Sequence, residues 1–287
     1  MINLVIASGK GGTGKTTLAV NLALALQKSC PNIQLLDCDV EEPNAHLFLK
    51  PVIEERENVG IPVPKVDPEK CDFCGLCAEV CAFNALAVFP GQVMELAELC
   101  HGCGSCAYLC PQKAITEVDR TIGVIEKGHV QNIEFAHGIL NPGEAMSPPL
   151  IEAVRRLGRG DKITIIDAPP GTSCPVVASL KGSDYCLLVT EPTPFGLNDL
   201  HLACQLAEKL GVPAGVVINR CDQGDHGVEK YCREKGLPVL MKIPFDRQLA
   251  ELYASGEPVV SKLPVWQGRF IELFDQIMAA AKGVEAK

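Results

Sequence analysis

Residues 7–19 read ASGKGGTGKTTLA. Within them, residues 9–16 fit the pattern G-x-x-x-x-G-K-S/T. A short apolar run, residues 3–7, precedes the pattern, and Leu18, Leu22, Ala25 and Leu26 follow it at helical spacing. Strand, glycine-rich turn and helix in that order make a phosphate-binding loop. The glycines let backbone N–H groups converge on phosphate oxygens, and the helix N-terminus adds partial positive charge. Gly11, Gly12, Thr13, Gly14 and Thr17 are expected to surround the phosphates of ATP. Lys15 is expected to reach the β and γ phosphates, and Thr16 to hold Mg²⁺.

Outward from this loop, residues 33–36 form a second buried strand ending in DCDVEEPN. The βαβ beginning predicts a parallel sheet with right-handed crossovers. Residues 54–68, charged and holding three prolines, read as a linker. Residues 122–126 read as a strand and 127–135 as the second half of a hairpin. From residue 150 the α/β alternation resumes, with strands at 163–167, 186–190, 215–219 and 240–243. Helices are predicted over 150–156, 197–210, 228–234 and 265–281.

Composition narrows the class. Of 287 residues 47% are hydrophobic and 21% charged, which excludes general disorder. Aromatic content is 5%, so Val, Ile, Leu and Ala supply the core, as in a helix-covered parallel sheet. A net charge of -9 gives no support to nucleic-acid binding. No stretch approaches the roughly 20 apolar residues that cross a bilayer. The first ten residues lack the basic segment and cleavage site of a signal peptide, so a cytoplasmic location is expected. Disulfides rarely persist there. The fifteen cysteines therefore point to metal ligation.

Eight of those fifteen stand in two matching runs, CDFCGLCAEVC at 71–81 and CHGCGSCAYLC at 100–110. Two zinc sites are the competing reading, but zinc usually takes C-x2-C pairs separated by a longer gap. Residues 62–118 resemble bacterial ferredoxins with two 4Fe-4S clusters. In such proteins the fourth cysteine of each run ligates the other cluster. The resemblance thus implies one cluster on Cys71, Cys74, Cys77 and Cys110, and another on Cys100, Cys103, Cys106 and Cys81. Ala82 stands where the first run often has proline, while Pro111 keeps it in the second.

KGGTGKTT, with its early Lys10, resembles the deviant phosphate loop of the MinD/ParA and nitrogenase iron protein group of ATPases. In that family the early lysine reaches the nucleotide of a second subunit, which implies a homodimer enclosing two ATP molecules. The resemblance makes Asp39 the residue that orients the attacking water and helps bind Mg²⁺, Asp167 a second Mg²⁺ residue, and Gly171 an N–H donor to the γ phosphate. It makes INRCD at 218–222 and IPFD at 243–246 the adenine region, with Asn219, Arg220, Pro244 and Asp246. Helix or strand capping is the alternative for Asp37, Asp39, Asp167 and Asn219. Cys174 is either a structural thiol or a metal contact, and Cys30, Cys186, Cys204, Cys221 and Cys232 read as small apolar residues.

The predicted fold is α/β: a doubly wound, mostly parallel phosphate-loop domain over 1–58 and 121–287, with an inserted α+β ferredoxin-like domain over 59–120. The expected function is an ATP-binding and hydrolysing iron–sulfur protein, its nucleotide-driven dimer switch coupled to electron transfer or to docking of an unidentified redox or metallocofactor protein. The alternatives are a cluster or metallocofactor carrier and a MinD-like positioning ATPase. The last needs a basic membrane-binding helix. The final predicted helix has few basic residues, so core packing is expected of it.

Overall fold

The computed structural model describes residues 1–158 and 160–285. β1 (Asn3–Ala7) leads through the glycine-rich turn into α1 (Lys15–Leu26), followed by β2 (Ile33–Asp37) and the short α2 (Ala45–Leu49). β3 (Val52–Val66) then occupies most of the stretch that its charge and prolines predicted as a linker. The reason is its place at the end of the strand order, an edge where proline removes no ladder hydrogen bond. Ile61 and Val63, either side of Pro62, are both buried.

Next come α3 (Leu76–Glu79), the antiparallel pair β4 (Leu86–Phe89) and β5 (Gln92–Glu95), and α4 (Ser105–Leu109). β6 (Ile115–Val130) and β7 (Ile133–Leu140) form the expected hairpin, with a longer first strand than predicted. Gln131, at φ 53°, takes the left-handed turn position. The alternation continues through α5 (Pro148–Arg155), β8 (Ile163–Asp167), α6 (Cys174–Leu180), β9 (Tyr185–Thr190), α7 (Pro194–Lys209) and β10 (Ala214–Asn219). It closes with α8 (Gly227–Lys235), β11 (Val239–Ile243), α9 (Arg247–Ala254), α10 (Val259–Lys262) and α11 (Pro264–Glu285). The sequence reading missed the helices α2, α3, α4, α6, α9 and α10.

The nine-stranded sheet has the order β11-β10-β9-β1-β8-β2-β7-β6-β3. β1 pairs in parallel with both β8 and β9, and parallel pairing extends outward to β11 on one side and β7 on the other. Strand order reverses at β1, so the loops at its carboxyl end border the crevice where such sheets bind ligands. β2, β8 and β9 are buried along their whole length. α1 is apolar nearly all round and is correspondingly buried. Phe270, Leu273, Phe274 and Ile277 of α11 belong to the same core, so this helix spends its apolar residues on packing. Among the described residues, no helix is long and apolar enough to cross a membrane.

Two compact units emerge. One comprises Met1–Arg56, Ile125–Ile139 and Ile151–Lys287; the other comprises Glu57–Val124 and Leu140–Leu150. The segment Leu140–Leu150 thus groups with the smaller unit, although its position beyond residue 121 assigned it to the larger in the sequence reading. Within that unit Asn141 N–H donates to Ile122 O at 2.9 Å, and Arg120 pairs with Glu144.

Candidate functional site

In the larger unit the phosphate loop borders a cavity of about 560 Å³, within the usual range for small-molecule sites. Gly12 and Gly14 have φ of 76° and 100°, a region that disfavours any side chain. At Gly14 a side chain would also collide with Asn219, since a Cβ there would lie 2.9 Å from Nδ2. Gly11, Gly12, Gly14, Lys15, Thr16 and Thr17 line the cavity. Lys15 is buried, and the buried Thr13 hydroxyl oxygen has no hydrogen-bond partner.

Three carboxylates meet near the end of this loop. Asp37 Oδ2 accepts N–H groups of Asn44 and Ala45 at 3.1 and 3.0 Å, and Oδ1 accepts that of Asp39 at 3.1 Å. It therefore caps α2, the role that sequence reading kept as its alternative. Asp39 lines the cavity. Burial pushes its carboxyl up to about 6, with Lys15's charge opposing. Asp167 is fully buried, and neither of its carboxylate oxygens has a hydrogen-bond partner. Burial and then Asp37's charge push it well up, while the neighbouring Thr16 hydroxyl and Lys15 oppose. Buried, unpartnered carboxylate oxygens beside other acids suit a divalent cation. Thr16, Asp39 and Asp167 are the residues that would hold Mg²⁺.

Other expected residues are engaged within the protein. Lys10 Nζ pairs with Glu191 Oε2 at 2.9 Å, and Arg220 Nη1 pairs with Glu191 Oε1 at 2.8 Å. Glu191 was not anticipated; its only signal is a carboxylate directly after strand CLLVT, beside the loop-bearing strand. Asn219 Nδ2 donates to Thr13 O at 2.8 Å and braces the phosphate loop. Gly171 N–H donates to Ser8 O at 3.0 Å, so it is used in joining the loop after β8 to the loop after β1. Asp246 caps α9 by accepting Gln248 N–H at 2.7 Å. Asn219, Arg220, Pro244 and Asp246 all border the cavity, joined by Phe245, Tyr253 and Trp266, which sequence reading missed.

In the smaller unit the two cysteine runs repeat each other in conformation. Phe73, Gly75 and Asn84 have positive φ, and so do their counterparts Gly102, Gly104 and Lys113. Ala85 N–H donates to Cys81 Sγ and Ala114 N–H to Cys110 Sγ, each at 3.3 Å. One small cavity is lined by Cys71, Cys74, Cys77 and Cys110, together with Val66, Val88 and Val93. A second is lined by Cys81, Cys100, Cys103 and Cys106, with Pro62 and Pro64. Four soft thiol donors with N–H groups on their sulfurs fit an iron–sulfur cluster. Among the described residues, no group of three or more His, Cys, Asp or Glu side chains stands at single-ion spacing.

The remaining thiols divide by exposure. Cys38, Cys186 and Cys232 are buried, Cys30, Cys204 and Cys221 half-buried, and Cys174 exposed at the start of α6. Burial raises Cys38 and Cys186 far above the usual thiol range, and Cys204 and Cys232 to about 11. These four are unreactive neutral thiols at neutral pH.

A family model described as the CobQ/CobB/MinD/ParA nucleotide binding domain matches residues 4–259. An uncharacterized protein of Methanocaldococcus jannaschii is 32% identical over 262 residues, covering 90% of this chain and 91% of its own. A protein of Pyrococcus horikoshii named iron-sulfur cluster carrier protein is 27% identical over 304 positions, covering 98% and 87%. Among solved structures, the septum site-determining protein MinD of Pyrococcus horikoshii, complexed with Mg-ADP, superposes with a TM-score of 0.61 at 20% identity, covering 96% of each chain. That likeness concerns the fold.

Proposed function

The chain belongs to the CobQ/CobB/MinD/ParA nucleotide-binding family, and on that premise we propose that it is an ATPase whose smaller unit holds two 4Fe-4S clusters. The observation that carries the proposal is the meeting of Lys15, Thr16 and Asp39 at one cavity, with the buried, unpartnered Asp167 beside Thr16 and Lys15. Lys15 binds the β and γ phosphates, and Thr16, Asp39 and Asp167 would hold Mg²⁺. Asp39 orients a water toward the γ phosphorus; the bond to the β–γ bridging oxygen breaks, leaving ADP and phosphate. The positions of Asn219, Arg220, Pro244 and Asp246 around the same cavity support an adenine site there.

Lys10 engages the nucleotide of a second copy in an ATP-bound homodimer, exchanging Glu191 for phosphate oxygens. Cys71, Cys74, Cys77 and Cys110 hold one cluster, and Cys81, Cys100, Cys103 and Cys106 the other. The two thiol-lined cavities support that division. A bound 4Fe-4S cluster supplies a one-electron couple. ATP hydrolysis is measured on anaerobic protein, oxidised and dithionite-reduced. The expected result is Lys15-dependent turnover whose rate changes with reduction. Identical rates in both states would reject the coupling, and no turnover would reject the ATPase.

A second reading, a cluster-carrier ATPase, is favoured by the relatives named iron-sulfur cluster carrier protein. Transfer of iron and sulfide to a cluster-free ferredoxin within minutes would favour it over fixed centres. Membrane positioning finds no such support, because the apolar face of α11 lies in the core.

A further inference from the structure

The two cysteine runs match position for position, Cys71 with Cys100 and Cys81 with Cys110, so side chains at equivalent places can be compared directly. The residue after Cys71 is Asp72; its counterpart after Cys100 is His101. Two places beyond Cys110 stands Gln112; its counterpart beyond Cys81 is Phe83. Each pair meets across its own cavity. Gln112 Nε2 donates to Asp72 Oδ2 at 3.0 Å beside the first. Phe83 and His101 stack beside the second, with ring centroids 3.5 Å apart and planes inclined by 7°. The backbone repeats, but one clamp is polar and anionic and the other is aromatic.

The sulfurs also differ. Cys110 and Cys81 each accept one N–H, from Ala114 and Ala85, so that pair of bonds is common to both pockets. The second pocket adds two more contacts. Gly102 N–H donates to Cys100 Sγ at 3.4 Å, and Ser105 Oγ lies 3.5 Å from Cys103 Sγ. For a thiolate the Ser105 hydroxyl is the donor. In the first pocket Leu76 stands at the place of Ser105 and has no hydroxyl to offer, and Cys74 N–H, the counterpart of Cys103 N–H, donates to Asp72 Oδ1 at 3.2 Å. Each pocket has one carboxylate among its lining residues, Asp72 in the first and Glu117 in the second. The local acids therefore offset each other, leaving hydrogen bonding to sulfur as the main difference. Donors to sulfur stabilise the more negative, reduced form of a cluster and raise its potential.

We propose that the two thiol pockets are unequal, and that the one formed by Cys81, Cys100, Cys103 and Cys106 holds the centre that accepts an electron first, Ser105 and Gly102 setting its higher potential. This rests on the two-cluster reading above. The electron comes from an external one-electron donor, dithionite in the assay, and each centre gains one. A graded order of this kind gives the unit an entry centre and an exit centre.

The test is a reductive titration of the anaerobically purified whole chain, followed by electron paramagnetic resonance, after iron is counted. Two separate waves are expected. Ser105→Ala should move only the higher wave, to lower potential; Asp72→Asn should move only the lower wave, upward. About eight irons per chain with a single two-electron wave would overturn the inequality while leaving the two-cluster reading intact. Ser105→Ala acting on the lower wave would overturn the assignment. Far fewer irons would instead overturn the cluster reading itself. The wild-type titration alone decides the inequality should either variant lose iron.

Discussion

In the larger unit, the phosphate loop is braced by protein alone: Asn219 holds Thr13, Asp37 holds the start of α2, and Gly171 holds Ser8. Beneath it lies a core running from α1 through β1 and β8 to α11. In the smaller unit the thiol-bearing loops have no comparable support. Around the cysteine runs the buried apolar side chains are few, among them Ala85, Leu86, Ala114 and Ile115, and Cys74 and Cys103 are exposed. A small unit with a thin core usually requires a metal or disulfide to fold. On the proposed reading, one unit is shaped by its core and receives a ligand, while the other would depend on its clusters for shape.

The sharpest way to test that contrast is to disable one unit and measure the other. Lys15→Ala should lower ATP turnover about 100- to 1,000-fold, the scale of losing a principal transition-state charge, with iron content unchanged. If iron falls as well, the units are not independent. The converse is iron removal with a strong chelator. Protease cleavage within residues 57–124 should accelerate about tenfold or more, because metal-binding energy is folding energy in such units. Nucleotide affinity should stay within about twofold, measured by equilibrium dialysis. Protection of 57–124 without iron would break the comparison.

Smaller effects refine the larger unit. Asp167→Asn should cut Mg²⁺-dependent turnover about tenfold or more while nucleotide still binds, read from a magnesium titration of the rate. Asn219→Ala removes the hydrogen bond to Thr13 O, worth about 1 kcal/mol. ATP affinity should weaken about fivefold by calorimetry, with Tm nearly unchanged. A loss as large as that of Lys15→Ala would mean that Asn219 contacts the nucleotide directly.

How much was legible in the sequence follows from how local each signal is. The phosphate loop, its strand and its helix were readable because glycine, lysine and periodicity act within a few residues. So were the cysteine runs, whose doubled spacing carries its own meaning. β3 was misread because charge and proline report solvent and edge position, which a linker and an edge strand share. α6 and α9 were missed because a turn of polar and proline residues, APPGTS and IPFD, leads straight into each. Glu191 was invisible for another reason. Its role depends on Lys10 and Arg220, brought together from distant parts of the chain. The same holds for the segment Leu140–Leu150, tied to Ile122 by a backbone bond that no motif announces.

The most direct check on the account is the iron and acid-labile sulfide content of the anaerobically purified chain. Two cubane centres on these eight cysteines give about eight of each per polypeptide. Zinc in place of iron, or no more than about two irons per polypeptide, would contradict it.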